Sequence, residues 1–495
     1  MSQQQEMEAD VVVVGYGGAG ATAGITAHDR GASVLILEKQ SSGGGNTLVS
    51  GGTFFVPKSV EAIPFAVKYV EALSCGATER EIIQTFVDRA VEIKDWIQEL
   101  GGEAVPVPPY SKVFYPRPPE KGPTYPNVNG AEHTTKLCVK GNLTEPMAQR
   151  LWKFLSSNVE RRGIPVLTGT VAKELVTDAD GAVTGVVAER AGEKVLIKAR
   201  RAVVLACGGF EYNDAMKEAF LLCKPFYAAG NPGNTGDGIV MAQKVGAALW
   251  HMKSVEGYLG FKPPEYQAAF PICYWGAGFI HVNRQGNRFC DETAREYHDR
   301  WRDVAEVDSR EITTQPGFPN IPAYGIFDEV TRCKGPLYRQ TNPSGYNRGY
   351  KWSPDNSQEI ANGWIIKADT IGELARRLSI DESSLENTVA RYNGHCKLGK
   401  DADFGRSKDS LEPIETPPFY AIEFGPCLLN TQGGPRRDKA ARVLDHDGKP
   451  IRRLYAAGEL GSIWGFLYNS GGNIAECLAF GRIAGENAAM EKQAQ

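Results

Sequence analysis

Three glycines and one acid carry the first chemistry legible in this sequence. The run DVVVVGYGGAG at 10–20 sets Gly15, Gly17 and Gly20 directly after a β-branched strand signal, and small residues suited to a closely packed helix follow. Eighteen residues after Gly20, the run SVLILEK carries a second strand signal to Glu38. In such a unit the first glycine makes the turn, the second admits backbone to a pyrophosphate, and the third lets the helix pack on the strand. The helix N-terminus then favours phosphate charge, and Glu38 can accept hydrogen bonds from ribose hydroxyls. The chemistry is dinucleotide binding, and this unit alone leaves NAD and FAD both open.

Later segments favour FAD. At 43–52, GGGNTLVSGG places glycines around Asn46, Thr47 and Ser50, as backbone lying against a flat or phosphorylated ligand would require. AVVLACGGF at 202–210 is a further strand ending in paired glycines, and NPGNTGDG at 231–238 opens the helical run IVMAQKVGAAL. RLYAAGELG at 453–461 is another strand, ending on Gly458 and Glu459. Such segments, spread from residue 10 to residue 461, fit one long cofactor threaded through a domain whose halves are far apart in sequence.

Composition narrows the remaining classes. A chain of 495 residues, 42% hydrophobic and 23% charged, can bury a large core and divides into two or three lobes. A net charge of −4 with interspersed signs offers no basic field for nucleic acid. No apolar stretch reaches the roughly 20 residues that span a bilayer, and the start MSQQQEMEAD lacks a secretory pattern. No membrane span and a cytoplasmic location are expected. The ten cysteines show neither CxxC nor a Cys/His cluster, so no metal site is expected and redox chemistry falls to an organic cofactor.

Taken together, the GxGxxG unit with Glu38, GGNTLVSGG, ACGGF, NTGDG, VNRQGNRFCDE, NTQGG, and AAGELG through FGRIAG resemble the fumarate reductase and ketosteroid dehydrogenase flavoprotein family along nearly the whole chain. The resemblance implies an α/β fold: a doubly wound, Rossmann-type FAD-binding domain with an inserted α+β capping domain, and an active site where cap meets flavin. It implies hydride exchange between the flavin and a carbon–carbon bond next to a carbonyl or carboxylate. FAD contacts are expected from Gly15, Gly17, Gly18, Ala19 and Gly20, then from Glu38 and Lys39. The loop adds Gly45, Asn46, Thr47, Ser50, Gly51 and Gly52. Val171, Ala206, Gly208, Asn234 and Asp237 follow, and the C-terminal part adds Gly458, Glu459, Gly472, Asn473 and Ile474. Covalent members carry a His in the loop matching 43–52; this chain has none, so non-covalent FAD is expected.

Two branches of the family compete for the substrate. The fumarate branch holds a dicarboxylate with a His before TxGG and an Arg before the last glycine pair; here those places hold Asn430 and the pair Asn469–Ser470. A buried carboxylate left unpaired costs several kcal/mol, so fumarate fits poorly. The ketosteroid dehydrogenases resemble this chain at GFLYNSGG, which implies that Tyr468 and the backbone N–H of Gly472, with Ser470 between them, donate to a ketone oxygen. Two neutral donors on one carbonyl oxygen stabilise an enolate as the α-proton leaves. For that proton the family uses a residue shortly after RFCDE: an Arg in one branch, a Tyr in the other. In RFCDETAREYH both Arg295 and Tyr297 are present, with the spacing one residue off in either case. The missing carboxylate clamp favours Tyr297. An unperturbed phenol is a weak base at neutral pH and needs a helper; Tyr115, followed by Tyr125, stands in the region where the ketosteroid enzymes place a second Tyr. His298 is read as structural.

The expected reaction is therefore α,β-dehydrogenation of a cyclic ketone, either a 3-oxosteroid or an oxocyclohexane-type compound such as a 4-oxocyclohexanecarboxylate, with electrons passed to a separate acceptor. A fumarate- or urocanate-type enoate reductase using Arg295 is the alternative. Trp275, Tyr346, Trp352, Trp464 and Phe466 are among the aromatics available to line an alicyclic pocket. To position these groups, helical spacing is read at 80–100 and 143–162, short strands over 164–206 with a turn at DADG, and two helices at 370–378 and 382–398. The FAD domain is expected at 1–277 and 415–495, with the cap at 278–414.

Overall fold

The computed structural model describes residues 5–107, 123–305, 317–338 and 345–493. The apolar run of the N-terminal strand, Gln5–Val14, becomes the middle of an eight-stranded sheet. It pairs in parallel with Val34–Leu37 on one side and with Glu193–Leu205 on the other. Val166–Leu167 extends the first side, and Pro450–Ala456 the second, also in parallel. Val11, Val12 and Val13 are fully buried, because helices and loops cover both faces of a parallel sheet and leave no solvent side for polar alternation. Strands from residues 5–14 and 450–456 thus share one sheet, joining the two ends of the chain.

The helix Gly18–Asp29 packs along the C-terminal helix Gly472–Met490, with small residues at the crossing. The expected helix at 80–100 is two, Arg80–Val91 and Ile93–Glu99, and the next runs Met147–Arg161. The DADG turn closes with Asp178 N–H donating to the Ala182 carbonyl at 2.9 Å.

A second, seven-stranded sheet is built around the long strand Phe419–Thr431. Val255–Phe261 pairs antiparallel with its C-terminal half, and Ala323–Asp328 and Ile365–Ala368 pair with its N-terminal half. The helices Ile371–Leu378 and Glu382–Leu398 cover one face. Thr370 caps the first by accepting the Glu373 N–H, and Asp381 caps the second by accepting the Ser384 N–H. The strands of this sheet span Tyr227 to Thr431, so strands on both sides of 278–414 belong to it. Among the described residues no helix is long and apolar enough to cross a membrane.

Candidate functional site

A cleft opens at the C-terminal ends of the central strands of the first sheet. Its floor is bare backbone. Gly15 has φ +106°, and a Cβ there would overlap the Ala206 carbonyl; a Cβ on Gly17 would meet the Gly44 carbonyl oxygen at 3.8 Å, and both glycines present bare backbone to the cleft. The helix Gly18–Asp29 begins at Gly17 without a side-chain cap and without an acid in its first turn, which leaves its partial positive charge to an external anion. Thr47 Oγ1 accepts the Gly18 N–H at 2.9 Å and fastens the 45–47 loop to that helix start. Glu38 is buried and lines the cleft, its carboxylate already ordered by the N–H groups of Tyr16 (2.9 Å) and Gln40 (2.8 Å). Lys39 pairs with Asp237 at 2.6 Å on the same rim.

Deeper in, Asn46 ties three segments together. Its Nδ2 donates to Glu211 at 2.7 Å and to Glu459 at 2.9 Å, and its Oδ1 accepts the Asn231 N–H at 2.7 Å. Burial pushes Glu211 above the usual carboxylate range, and burial together with the Glu211 charge raises Glu459. Glu211 is fully buried, its Oε1 accepting from Asn46 at 2.7 Å and from Asn234 at 3.0 Å.

Beyond this point lies an aromatic and acidic chamber. Tyr468 is buried against Trp464 and His298, its ring centroid 5.3 Å from the imidazole. Its Oη accepts the Gly471 N–H at 3.2 Å and faces the Asn473 N–H, both at the start of the C-terminal helix. Burial, with Glu256 nearby, holds its phenol well above the ordinary value, so it is a hydrogen-bond donor rather than a phenolate. Tyr297 packs on Tyr258 at 4.5 Å, and Tyr258 donates to Glu256. His298 lies between Glu256 (3.5 Å) and Glu296 (2.9 Å). Asn469 accepts from Tyr69 at 2.8 Å and donates to the Ser470 carbonyl at 3.0 Å, while Asn430 accepts from Asn473 at 3.0 Å.

Residues 10–474 match the family described as FAD binding domain. The chain belongs to this family of FAD-dependent oxidoreductases. Its relatives include a urocanate reductase of Eggerthella lenta, 31% identical over 97% of this chain and 75% of that protein. A 3-oxosteroid 1-dehydrogenase of Mycolicibacterium smegmatis is 30% identical, covering 96% of each chain. In fold, the chain is similar to a 3-ketosteroid delta1-dehydrogenase of Sterolibacterium denitrificans, with a TM-score of 0.82 at 24% identity over 97% of this chain and 99% of that one.

The family's cofactor suits the cleft: glycine backbone and a helix start whose N-cap, Gly17, has no side chain for the pyrophosphate, Glu38 for a ribose, and the Asn46–Glu459 pair deeper in. Of the residues expected to hold FAD, fifteen line it: Gly15, Gly17, Gly18, Ala19, Glu38, Lys39, Gly45, Asn46, Thr47, Ala206, Gly208, Asn234, Asp237, Gly458 and Glu459. Gly20 instead makes room for the Gly15 carbonyl, and Gly52 for the start of helix Met147–Arg161. Ser50 folds back onto the Thr47 carbonyl at 2.8 Å, and Gly51 follows it outside the lining. On the strand Thr170–Thr177 it is Thr170 and Ala172 that face the cleft, with Val171 between them on the opposite side, as the two-residue period requires. Gly472, Asn473 and Ile474 begin the C-terminal helix beside the chamber.

At the substrate end the picture departs from expectation at three places. The Gly472 N–H is spent on the Asn469 carbonyl at 2.8 Å, and the position demands glycine because a Cβ would run into the Trp464 indole. Arg295 points to Asp303 in an ion pair with its side chain 39% exposed, whereas Tyr297 is packed inside the chamber. His298, expected to be structural only, sits between two buried carboxylates. Ser470 donates its N–H to Thr124 at 2.9 Å. Tyr115 lies outside the described residues; its neighbour Tyr125 donates to Asp299. Sequence reading missed Glu211, Glu256, Tyr258 and Glu296. The motif ACGGF stops one residue short of Glu211, and Glu256 and Tyr258 sit on an alternating strand with no motif signature. Elsewhere, His395, Asp401 and Asp403 bring potential ligand atoms within 4.8 Å of one another, but Arg288 and Arg391 pair with the two carboxylates.

Proposed function

We propose that this flavoprotein desaturates a cyclic ketone next to its carbonyl, a 3-oxosteroid or an oxocyclohexane-type compound. The observation that carries the reading is the state of Tyr468: a buried, un-ionised phenol whose oxygen is occupied by backbone N–H groups and whose own proton is left to donate. Such a donor polarises a ketone and stabilises the enolate formed when the α-proton departs. The places where a dicarboxylate would need cations hold Asn430 and Asn469, both neutral and both engaged in hydrogen bonds.

The residues around the cleft bind and orient FAD without a covalent link, consistent with the absence of His from 43–52. When bound, FAD supplies the acceptor for the hydride that leaves the β-carbon. The chain's own part is to hold the carbonyl at Tyr468, to take the α-proton, and to exclude water with Trp464, Tyr258 and Tyr297. Electrons then pass to a separate acceptor. Cysteines that form no disulfide among the described residues fit a reducing compartment such as the cytoplasm.

A reductive reading is favoured by the urocanate reductase relative and would use Arg295 as proton donor. Turnover with an artificial electron acceptor separates the two. The ketone reading expects a conjugated enone to accumulate from a saturated cyclic ketone. Absence of any enone across a panel of ring sizes, with reduction of urocanate or fumarate by the dithionite-reduced enzyme, would replace it.

A further inference from the structure

We propose that Glu256, His298 and Glu296 form the proton-accepting cluster of this site, with Tyr258 as the phenol that joins it to the substrate. The proposal rests on the ketone reading above and names the base which that reading needs.

Placement comes first. Glu256 pairs across the sheet with Asn430, so the two side chains share a face, and Asn430 is held by Asn473 at the start of the C-terminal helix. Glu256 is near enough to Tyr468 and to Glu459 of the cofactor cleft to raise the titration of both. The cluster also touches the carbonyl donor directly, the His298 ring standing 5.3 Å from that of Tyr468. Within it, Tyr258 donates to Glu256, His298 Nε2 stands 3.5 Å from Glu256, and His298 Nδ1 stands 2.9 Å from Glu296. Glu296 also accepts the His298 backbone N–H at 2.7 Å, which fixes the ring between the two acids.

Charge supplies the driving force. Two carboxylates share one imidazole, with side-chain exposures of 6% for Glu256, 4% for Glu296 and 11% for His298. Burial raises Glu256, whereas His298 and Lys136 outweigh burial at Glu296 and hold it below the usual carboxylate range, so Glu256 is the member of the pair that takes up the proton. Burial raises Glu256 above the usual carboxylate range, and the pull of His298 and Tyr258 only partly offsets it. Tyr258 is itself pushed up by burial and by Glu256, so it relays a proton rather than storing one. In the step, the α-carbon–hydrogen bond breaks and its electron pair enters the enolate, whose oxygen meets the Tyr468 hydroxyl. The proton goes to Tyr258 Oη while the proton of Tyr258 passes to Glu256. Tyr258 ends neutral, and the cluster ends one proton richer.

The test is deuterium exchange into the α-position of a saturated cyclic ketone in D₂O by the oxidised, FAD-loaded enzyme, read by mass spectrometry alongside anaerobic flavin bleaching. Glu256→Gln and His298→Gln should each slow exchange on the order of 100-fold while retaining FAD. Wild-type exchange should rise with pH through an apparent pKa above the ordinary carboxylate range, and Glu256→Gln should flatten that rise. The groups facing Glu256 that shape this profile are Tyr258, His298, Glu296, Tyr468, Glu459 and Cys427. Exchange within threefold of wild type in both variants would overturn the cluster and leave the ketone reading standing. Loss of FAD binding in both would mark these residues as structural and overturn it too. Neither exchange nor bleaching with any ketone would sink the ketone reading itself.

Discussion

The cofactor cleft and the proposed substrate chamber lie side by side yet are built in opposite ways. The cleft is mostly backbone: a glycine strip, an uncapped helix start, and short loops fastened by local hydrogen bonds such as Thr47 to Gly18. The chamber is mostly side chain. Tyr468, Glu256, Tyr258, Tyr297 and His298 arrive from three segments separated by many residues and meet only in the folded chain, where Tyr297 packs on Tyr258 and His298 on Tyr468. A ligand shared by many enzymes can be met by backbone, whereas a particular substrate has to be met by side chains. The two regions should consequently fail differently when changed.

The largest effect is expected in the cleft. Gly15→Val adds a branched side chain at φ +106° against the Ala206 carbonyl; strain and overlap together should cost about 4 kcal/mol or more. Purified protein should lack FAD and melt early, and normal flavin content would break the claim that this turn needs bare backbone. In the chamber, Tyr468→Phe should leave FAD content unchanged and raise the barrier to ketone-dependent flavin reduction by about 3 kcal/mol. Unaltered stopped-flow rates would return Tyr468 to a packing role.

That contrast also explains what was legible from the amino-acid order. The nucleotide unit reads from Gly15 to Glu38 because strand, turn, helix and acid must follow one another within a short span, and fifteen of the expected FAD residues line the cleft. The doubly wound sheet follows from the same unit. Glu256 carries no such signal: it is one polar residue in a strand, and its partners Asn430 and His298 come from segments far along the chain. His298 reads as structural from its position next to Tyr297 on a different azimuth, and its pairing with Glu256 and Glu296 is visible only in the fold. Gly472 looked like a backbone donor, but a glycine can be required by a ring, here Trp464, as readily as by a ligand.

Smaller effects test the border between the regions. Burial and Glu211 raise Glu459 in the folded protein, so the native state holds its proton to higher pH than the unfolded chain does. FAD-free protein should therefore lose stability as pH rises above the ordinary carboxylate pKa, until the raised pKa is passed. Glu459→Gln should recover on the order of 1 kcal/mol of that loss, seen as a flatter melting temperature against pH; an unchanged slope would place the titration elsewhere. Arg295→Gln removes a half-exposed ion pair with Asp303 and should slow ketone-dependent reduction by less than about 1 kcal/mol. A thousandfold loss would move the proton-transfer site to Arg295 and favour enoate reduction.

The most direct test of the account is an anaerobic one. The yellow enzyme, mixed with saturated cyclic ketones of increasing ring number, should bleach as the flavin is reduced, with an enone formed in equal amount. If no ketone bleaches it, while urocanate or fumarate restores the colour of the dithionite-reduced enzyme, the chamber serves a carboxylate after all and the ketone assignment is wrong.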